Sequence, residues 1–165
     1  MEIIDNFLDD HDFKNIFDLV SGPYFSWYWS HVVDEEDLLT DDPQYNFQLG
    51  HILFCNGESN SVRFDNFLPF LSKLPDMNTL IRMKINLNPK TDRIIRHGFH
   101  TDFDGEGKTA VFYFNTCNGY TEFEDSGDIV KSKKNRMVIF DMMKSHTGTT
   151  CTDQSRRIVL NINYK

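Results

Sequence analysis

Cysteine is scarce in this sequence, and the cysteines that are present lie far apart. The 165 residues include three, Cys55, Cys117 and Cys151, and no two of them form a C-x-x-C pair. A disulfide framework uses an even set of cysteines in a small secreted chain, and thiolate zinc sites use closely spaced pairs. The sequence therefore argues against both kinds of site, and three free thiols favour a reducing compartment.

Long apolar runs and a surplus of basic residues are also missing. No stretch is long enough for a transmembrane helix, and the opening residues, MEIIDNFLDD, lack the basic and apolar regions of a signal peptide. We therefore expect a cytoplasmic protein with no membrane partner. Lys and Arg total 17 against 25 Asp and Glu, which gives a net charge of -8. Because phosphate backbones repel an acidic chain, we do not expect nucleic acid as a partner.

The periodic segments predict helices first and strands afterwards. Apolar residues at helical spacing predict an amphipathic helix over residues 9–21 and a shorter helix over 66–73. Strand-like segments with a period of two, or rich in strand-forming residues, lie at 24–33, 48–55, 81–87, 109–115, 135–141 and 157–164. This order favours an antiparallel β sandwich or jelly roll, with the leading helices covering the outer face of one sheet.

A candidate metal site begins in the segment RHGFHTDFDG. His100 and Asp102 are two residues apart in extended chain, so their side chains share one face and can bind one metal ion. The tripeptide alone is a weak signal, but His146, the one histidine downstream of His100, can supply a third ligand from a polar loop. Two His and one carboxylate suit Fe(II) and leave three coordination positions open. A structural zinc site needs four protein ligands, and the sequence offers no credible fourth.

The last strand carries a polar face that predicts a cavity. Arg157, Asn161 and Asn163 share this face with Val159, whereas the other face is apolar. Burying such polar groups unpaired costs roughly 1–3 kcal/mol each, so the polar face is expected to line a cavity. Arg157 then needs an anionic partner. A dicarboxylate cosubstrate that chelates iron at one end would offer its far carboxylate to the guanidinium.

Taken together, these residues resemble the Fe(II)- and 2-oxoglutarate-dependent dioxygenases, in particular the prolyl 4-hydroxylase-like branch. The family pattern is H-x-D, then a distal His, then a basic residue that opens the last core strand. In this sequence the pattern falls on His100, Asp102, His146 and Arg157, and the resemblance covers about residues 80–165. Several prolyl hydroxylases carry Lys where this sequence has Arg157, which moves the resemblance toward the relatives that use arginine.

The resemblance implies a mainly β fold with N-terminal helices, a double-stranded β-helix of the cupin-like jelly-roll type. It also implies one dioxygenase domain over residues 1–165, because no linker or repeat divides the chain. Within that domain we expect helical support over about residues 1–78 and the catalytic core over about residues 79–165.

The implied activity is hydroxylation of an unactivated C–H bond with release of succinate and carbon dioxide. Fe(II), the cosubstrate 2-oxoglutarate and molecular oxygen are the implied reactants, with ascorbate as a further cofactor. Tyr113, in the strand FYFN, would donate its hydroxyl to the far carboxylate of 2-oxoglutarate beside Arg157. Arg156 is the neighbouring alternative to Arg157, but it is expected to face the opposite side of the strand. The substrate is a peptidyl residue such as proline, or a small molecule.

A second class of function stays open: a non-catalytic metal- or ligand-binding module on the same fold. A zinc hydrolase is a third, for which the sequence places no general base. His97 is interpreted as a turn or rim residue because it falls off the face shared by His100 and Asp102. The aromatic residues of 24–33 are interpreted as a half-buried strand, with a substrate-stacking wall as the alternative.

Charged residues outside the candidate metal site have simpler interpretations. Asp104 and the acidic run at 34–37 are interpreted as solvated turns. Lys90, Arg93, Arg96 and Lys108 flank the H-x-D segment, either as a flap that attracts an acidic substrate or as a solvated loop.

Overall fold

A computed structural model describes residues 1–32 and 43–165 of the chain. The predicted acidic turn at 34–37 lies outside these residues. Within them the strands β1 to β11 are Glu2–Asp5, Tyr28–Ser30, Gln48–Cys55, Glu58–Ser59, Leu80–Pro89, Lys108–Tyr113, Tyr120–Phe123, Ile129–Lys131, Arg136–Asp141, His146–Gly148 and Arg156–Tyr164. The helices are α1, Asp10–Ser21, and α2, Leu68–Leu71, with 3-10 turns at Pro43–Tyr45 and Phe64–Phe67. Neither described α-helix has the length and apolar character needed to cross a membrane.

The strands form two antiparallel sheets. The larger has the order β1-β9-β6-β11-β5-β3-β2, with β4 paired to β3, and the smaller has the order β10-β7-β8. The predicted strands at 48–55, 81–87, 109–115, 135–141 and 157–164 are all present, within two residues at each end. The chain before residue 60 adds edge strands on both sides of the large sheet as well as a helix, because β1 pairs with β9 and β2 with β3.

Helix α1 forms where the sequence predicted it. The Asp9 side chain caps its first turn by accepting a 2.9 Å hydrogen bond from the backbone N–H of Asp12, and its apolar face buries Phe13, Ile16 and Val20. The predicted helix at 66–73 is shorter than expected, since the 3-10 turn at Phe64–Phe67 leads directly into the single-turn α2. Both helices pack against the outer face of the large sheet and form one core with it.

Strands β5 and β11 place apolar and polar side chains on opposite faces of the large sheet. Ile158, Leu160 and Ile162 of β11 pack outward beneath the helices. The intervening residues of β11 point inward, between the two sheets. β5 alternates in the same way, and Leu160 of β11 pairs with Ile85 of β5. The inward-facing residues of the two strands therefore lie side by side, and this positions the candidate site.

The aromatic segment 24–33 differs from its interpretation as a half-buried strand. The strand there covers three residues, Tyr28–Ser30, and Phe25 and Trp27 pack against the core. Tyr24, Tyr28 and Trp29 are instead 87%, 63% and 62% exposed. The prediction is wrong for Tyr24 because it lies in a turn before the strand, and for Tyr28 and Trp29 because β2 lies at the edge of the sheet, where no described residue covers its outer side.

Candidate metal centre

The two predicted histidine ligands are joined through their backbones. The His100 N–H donates to the His146 carbonyl and the His146 N–H donates to the His100 carbonyl, each at 3.0 Å. This bridge brings the loop after residue 96 against the start of β10 and leaves the imidazole centroids 4.9 Å apart. The separation of the two backbones at the site is therefore fixed by main-chain hydrogen bonds.

The two imidazoles have equivalent backbone contacts at Nδ1. His100 Nδ1 lies 3.2 Å from the Gly98 carbonyl, and His146 Nδ1 lies 3.0 Å from the Lys144 carbonyl. A carbonyl oxygen only accepts, so each Nδ1 carries the proton and each Nε2 keeps a free lone pair. Such a backbone contact behind the ring is typical of metal-ligating histidines.

Asp102 completes the group of three. Ligand-type atoms of His100, Asp102 and His146 all lie within 4.8 Å of one another, with His146 Nε2 3.9 Å from Asp102 Oδ2. The sequence analysis placed His100 and Asp102 on one face and His146 in a separate loop, and the structure brings all three together. Two imidazole nitrogens and a carboxylate suit Fe(II), and the donor set therefore fits the metal predicted from the sequence.

A set of donors surrounds the Asp102 carboxylate. Arg82 Nη2 donates to Oδ1 at 2.8 Å, and Thr109 Oγ1 and Asn163 Nδ2 donate to Oδ2 at 3.0 Å each. Asn161 Nδ2 lies 3.2 and 3.3 Å from the two oxygens. The Asp102 side chain is 3% exposed, so these contacts hold a buried carboxylate in one orientation.

The protonation states at the site follow from this arrangement. Burial raises the pKa of Asp102, but the nearby His146, Arg82 and Asn163 outweigh burial, and the net pKa is below its usual value. Burial lowers the pKa of His146 more than Asp102 raises it, so the neutral imidazole is favoured. An ionised carboxylate and neutral imidazoles are the forms that bind metal.

A cavity of about 310 Å³ opens beside these ligands, between the two sheets. Its polar lining comes mainly from the inward faces of β5 and β11, and Thr121 and Gly148 of the small sheet line it too. Three lining atoms have no hydrogen-bond partner among the described residues: Asn86 Oδ1, Asn88 Nδ2 and Asn161 Oδ1. Because an unpartnered buried polar group costs roughly 1–3 kcal/mol, these atoms favour a polar occupant of the cavity, either a ligand or ordered water.

Arg157 lines this cavity and is 2% exposed. Its Nε donates to Ser132 Oγ at 2.7 Å, and its Nη1 and Nη2 lie 3.3 Å from the Thr149 carbonyl and Thr121 Oγ1. Among the described residues no carboxylate forms an ion pair with it, and burial lowers its pKa. Gly119 makes room for its side chain, since a Cβ there would lie 2.7 Å from Arg157 Cδ.

Arg156 and Tyr113 occupy different positions from Arg157. Arg156 does not line the cavity, as the strand alternation predicted. Tyr113 is fully buried next to the cavity-lining Thr121, to whose Oγ1 its hydroxyl donates at 2.9 Å, and its ring centroid lies 5.5 Å from Arg157 Cζ. Tyr113 itself does not line the cavity, and its contact with a cosubstrate stays a prediction.

Other residues singled out from the sequence have clear locations. His97, expected in a turn or at the rim, is 2% exposed and lines the cavity, although it is not part of the three-ligand group. Asp104 is exposed, as expected. In the flanking basic segment, Lys108 pairs with Asp76 at 3.0 Å and Arg96 lies 3.7 Å from Glu122. These pairs tie the segment to the rest of the fold at two points.

A pair of cysteines distant in sequence also meets in the structure. Cys117 and Cys151 are both buried, and their sulfur atoms lie with a carboxylate oxygen of Asp153 in one group within 4.8 Å. Burial raises the pKa of Cys151 to about 11. Sequence spacing gave no signal for this contact, since the two residues come from separate loops.

Comparisons with known proteins bear on the fold. No protein-family model matches this chain, and no curated protein matches it in sequence. An oxidoreductase of the 2OG-Fe(II) oxygenase family from Burkholderia pseudomallei is similar in structure, with a TM-score of 0.67 and 12% identity over 98% of this chain and 84% of that one. A prolyl hydroxylase from Trichoplax adhaerens, in complex with a hypoxia inducible factor oxygen degradation domain peptide fragment, has a TM-score of 0.64 and 14% identity over 99% and 82%. A prolyl-4-hydroxylase from Pseudomonas putida has a TM-score of 0.62 and 13% identity over 99% and 91%.

The fold is the double-stranded β-helix. The mainly β architecture with helices on the outer face of one sheet, predicted from the sequence, is confirmed. The resemblance to 2-oxoglutarate- and Fe(II)-dependent oxygenases and to prolyl hydroxylases is confirmed at the level of the fold. Identities of 12–14% carry no residue roles, so the chemistry of this chain has to be argued from its own site.

Proposed function

We propose that this protein is an Fe(II)- and 2-oxoglutarate-dependent dioxygenase that hydroxylates an unactivated C–H bond. The observation that carries the proposal is one cavity that holds both a two-histidine, one-carboxylate group and a buried arginine without a carboxylate partner among the described residues. The two histidines and the carboxylate can bind iron, and the buried arginine can bind a carboxylate of a dicarboxylate. A site that only held a metal ion would not require Arg157.

His100, Asp102 and His146 would hold the iron, each through one ligand atom. Bound iron would supply the oxygen activation that couples decarboxylation of 2-oxoglutarate to hydroxylation, with succinate and carbon dioxide as the other products. Asp102 contributes the negative charge that favours a cation, and the backbone carbonyls behind the two rings keep each Nε2 available.

Arg157 and Thr121 would bind the far carboxylate of 2-oxoglutarate at the closed end of the cavity. The guanidinium supplies a charge-assisted contact and the Thr121 hydroxyl a second donor, and Tyr113 would support both from behind. Buried walls on this side exclude water from the reacting groups. The unpartnered Asn88 Nδ2 would offer the cosubstrate one further N–H donor, whereas Asn86 Oδ1 and Asn161 Oδ1 only accept and would suit a donor group of the substrate or a water molecule.

The substrate of this proposal is a peptide side chain or a small molecule. The Trichoplax adhaerens neighbour was solved with a peptide, and this supports a peptide as one candidate here. A cytoplasmic location suits an Fe(II) enzyme with three free cysteines, because both need a reducing environment.

The proposal is tested by two signals from one preparation. Anaerobic Fe(II)-loaded protein should show a visible charge-transfer band when 2-oxoglutarate is added, and oxygen with ascorbate should then give succinate. His146→Ala should lose both signals, whereas His11→Ala, which changes an exposed histidine outside the site, should keep them. Full succinate formation by His146→Ala would remove this residue from the ligand set.

A non-catalytic metal- or ligand-binding module is the alternative, and one contact favours it. Arg82 already neutralises Asp102 at 2.8 Å, as would suit a site that no longer holds iron. A protein that binds Fe(II) but gives neither band nor succinate, with any of a panel of peptides, amino acids and nucleotides, would establish this alternative.

A further inference from the structure

A second, open groove lies next to the metal cavity. Its volume is about 620 Å³, and it runs over the edge of the large sheet formed by β2 and β3. Lys84 lines both the groove and the metal cavity, so the two spaces meet at this side chain. A ligand that fills the groove can therefore extend toward the metal ligands.

Lys84 is a half-buried cation that forms no ion pair with a described residue. On β5 it stands between Ile52 of β3 and Asn161 of β11. Its side chain lies over Gly50, where a Cβ would be 2.9 Å from Lys84 Cε and 3.6 Å from Nζ. No hydrogen bond or ion pair joins its ammonium to another described residue, and burial lowers its pKa. The Lys84 ammonium interacts with the Asp102 charge only at a distance, so its hydrogen-bond donors are available to a ligand at the junction.

The lining of the groove has a composition that contrasts with the rest of the chain. Arg63 provides a second cation, and the described lining residues include no carboxylate, although the protein as a whole has a net charge of -8. Tyr24, Tyr28 and Trp29 add exposed aromatic side chains, from the segment that the sequence analysis interpreted as a half-buried strand with a substrate-stacking wall as the alternative. Exposed aromatics beside cations are typical of a surface that binds an acidic, partly apolar partner.

We propose that this groove binds an extended acidic peptide, with one carboxylate of the peptide on Lys84 and neighbouring side chains against Tyr28 and Trp29. The edge position of β2 suits an extended segment. A single-stranded nucleic acid fits less well, since it carries a phosphate at every nucleotide and the described lining offers two cations, Arg63 and Lys84. The inference rests on the proposed oxygenase function only for what happens to the peptide once bound.

The test uses synthetic peptides of one length and alternating sequence, Glu-Tyr, Gln-Tyr and Lys-Tyr, each labelled for fluorescence anisotropy. We expect the Glu-Tyr peptide to bind at least about tenfold more tightly than the Gln-Tyr peptide, as a charge-assisted contact provides. The preference should weaken as salt is added. The Lys-Tyr peptide should bind weakest.

Variants then locate the preference. Lys84→Met should bring the ratio between the Glu-Tyr and Gln-Tyr peptides close to one, and Arg63→Gln should reduce it. Gly50→Ala should also reduce it, because the added Cβ displaces the Lys84 side chain without altering any charge. Lys131→Met removes the same charge from β8, lines neither space and should keep the full ratio. Thermal unfolding of each variant checks that it is folded.

Equal binding of the acidic and neutral peptides would overturn the inference, as would a Lys84→Met protein that keeps the preference. Tighter binding of an oligodeoxythymidine than of the Glu-Tyr peptide would also overturn it and assign the groove to nucleic acid. Binding is measured without iron or 2-oxoglutarate, so it is independent of turnover. If succinate forms but acidic and neutral peptides bind equally, only this inference is overturned. If the acidic peptide is preferred but no succinate forms, only the proposed oxygenase function is overturned.

Discussion

The two faces of the large sheet are built from alternating residues of the same strands, yet they have opposite character. The outer face packs Phe112, Ile158 and Leu160 under the helices in a continuous apolar core. The inner face carries a small apolar cluster around Tyr113 and Val159, and beside it the polar cavity. Stability therefore depends mainly on the outer face, which leaves the inner face free to hold polar groups that contribute little to folding.

This separation explains how the chain tolerates several unsatisfied polar atoms in one place. Each costs folding free energy, but the outer core offsets that cost from the other side of the same strands. Variants on the two faces should consequently affect different measurements, and the following three changes test this division.

The largest effect is expected from the outer face. Phe112 is fully buried and its ring contacts those of Phe7, Phe13, Phe70 and Phe114. Phe112→Ala should lower the free energy of unfolding by about 3–5 kcal/mol, measured by urea denaturation, because it removes apolar contacts and leaves a cavity. A loss below about 1 kcal/mol would show that the outer core is not the main source of stability.

Arg157→Met should show the converse behaviour on the inner face. The affinity for 2-oxoglutarate, measured by anaerobic equilibrium dialysis with Fe(II), should fall on the order of 100-fold, since a charge-assisted contact is lost. The unfolding free energy of the ligand-free protein should change by no more than about 1 kcal/mol, because a buried cation without an anion contributes little to stability. Arg156→Met is the matched control and should alter neither quantity. If Arg156→Met weakens 2-oxoglutarate binding and Arg157→Met does not, the assigned anchor is wrong.

Tyr164 is a polar exception within the outer core, and it gives the smallest effect. Its hydroxyl has no hydrogen-bond partner among the described residues, and burial raises its pKa to about 12 from 10.0. The unfolded chain loses this proton near pH 10 and the folded chain keeps it to higher pH, so the contribution to stability is complete below pH 10 and falls as pH rises toward 12.

Tyr164→Phe should be as stable as the parent at pH 7, or more stable by up to about 1 kcal/mol, because it deletes an unpaired buried hydroxyl. Its unfolding free energy should also decline less steeply between pH 10 and 12 than that of the parent. Parallel pH curves for the two proteins would contradict the assigned origin of the pKa shift.

Local patterns in the sequence were enough to predict five of the longer strands of the large sheet and the residues of the candidate metal site, but not the short strands β1, β4, β7, β8 and β10. The alternation in β11 identified both faces of that strand, and it distinguished Arg157 from Arg156. The spacing of His100 and Asp102, followed by a polar loop with His146, predicted the three ligand residues that the structure brings within 4.8 Å. These features depend on the period of two in extended chain, which a single sequence displays directly.

Contacts that depend on strand order were not predictable in the same way. Arg82 lies opposite Asn163 in the sheet, and both bind Asp102, but nothing local indicates that β5 is the neighbour of β11. Similarly, the exposure of Tyr28 and Trp29 follows from the edge position of β2, since aromatic residues in a central strand would be buried. Edge and register are properties of the assembled sheet.

The backbone bridge between His100 and His146 has a consequence for how the sequence can vary. Their mutual hydrogen bonds involve no side-chain atoms, so substitutions in the flanking residues should leave the separation of the two backbones unchanged as long as the main chain stays paired. Substitutions in the cavity walls should therefore be tolerated without separating the two histidines of the candidate metal site. In contrast, substitutions that break the pairing of these two backbones should not be tolerated.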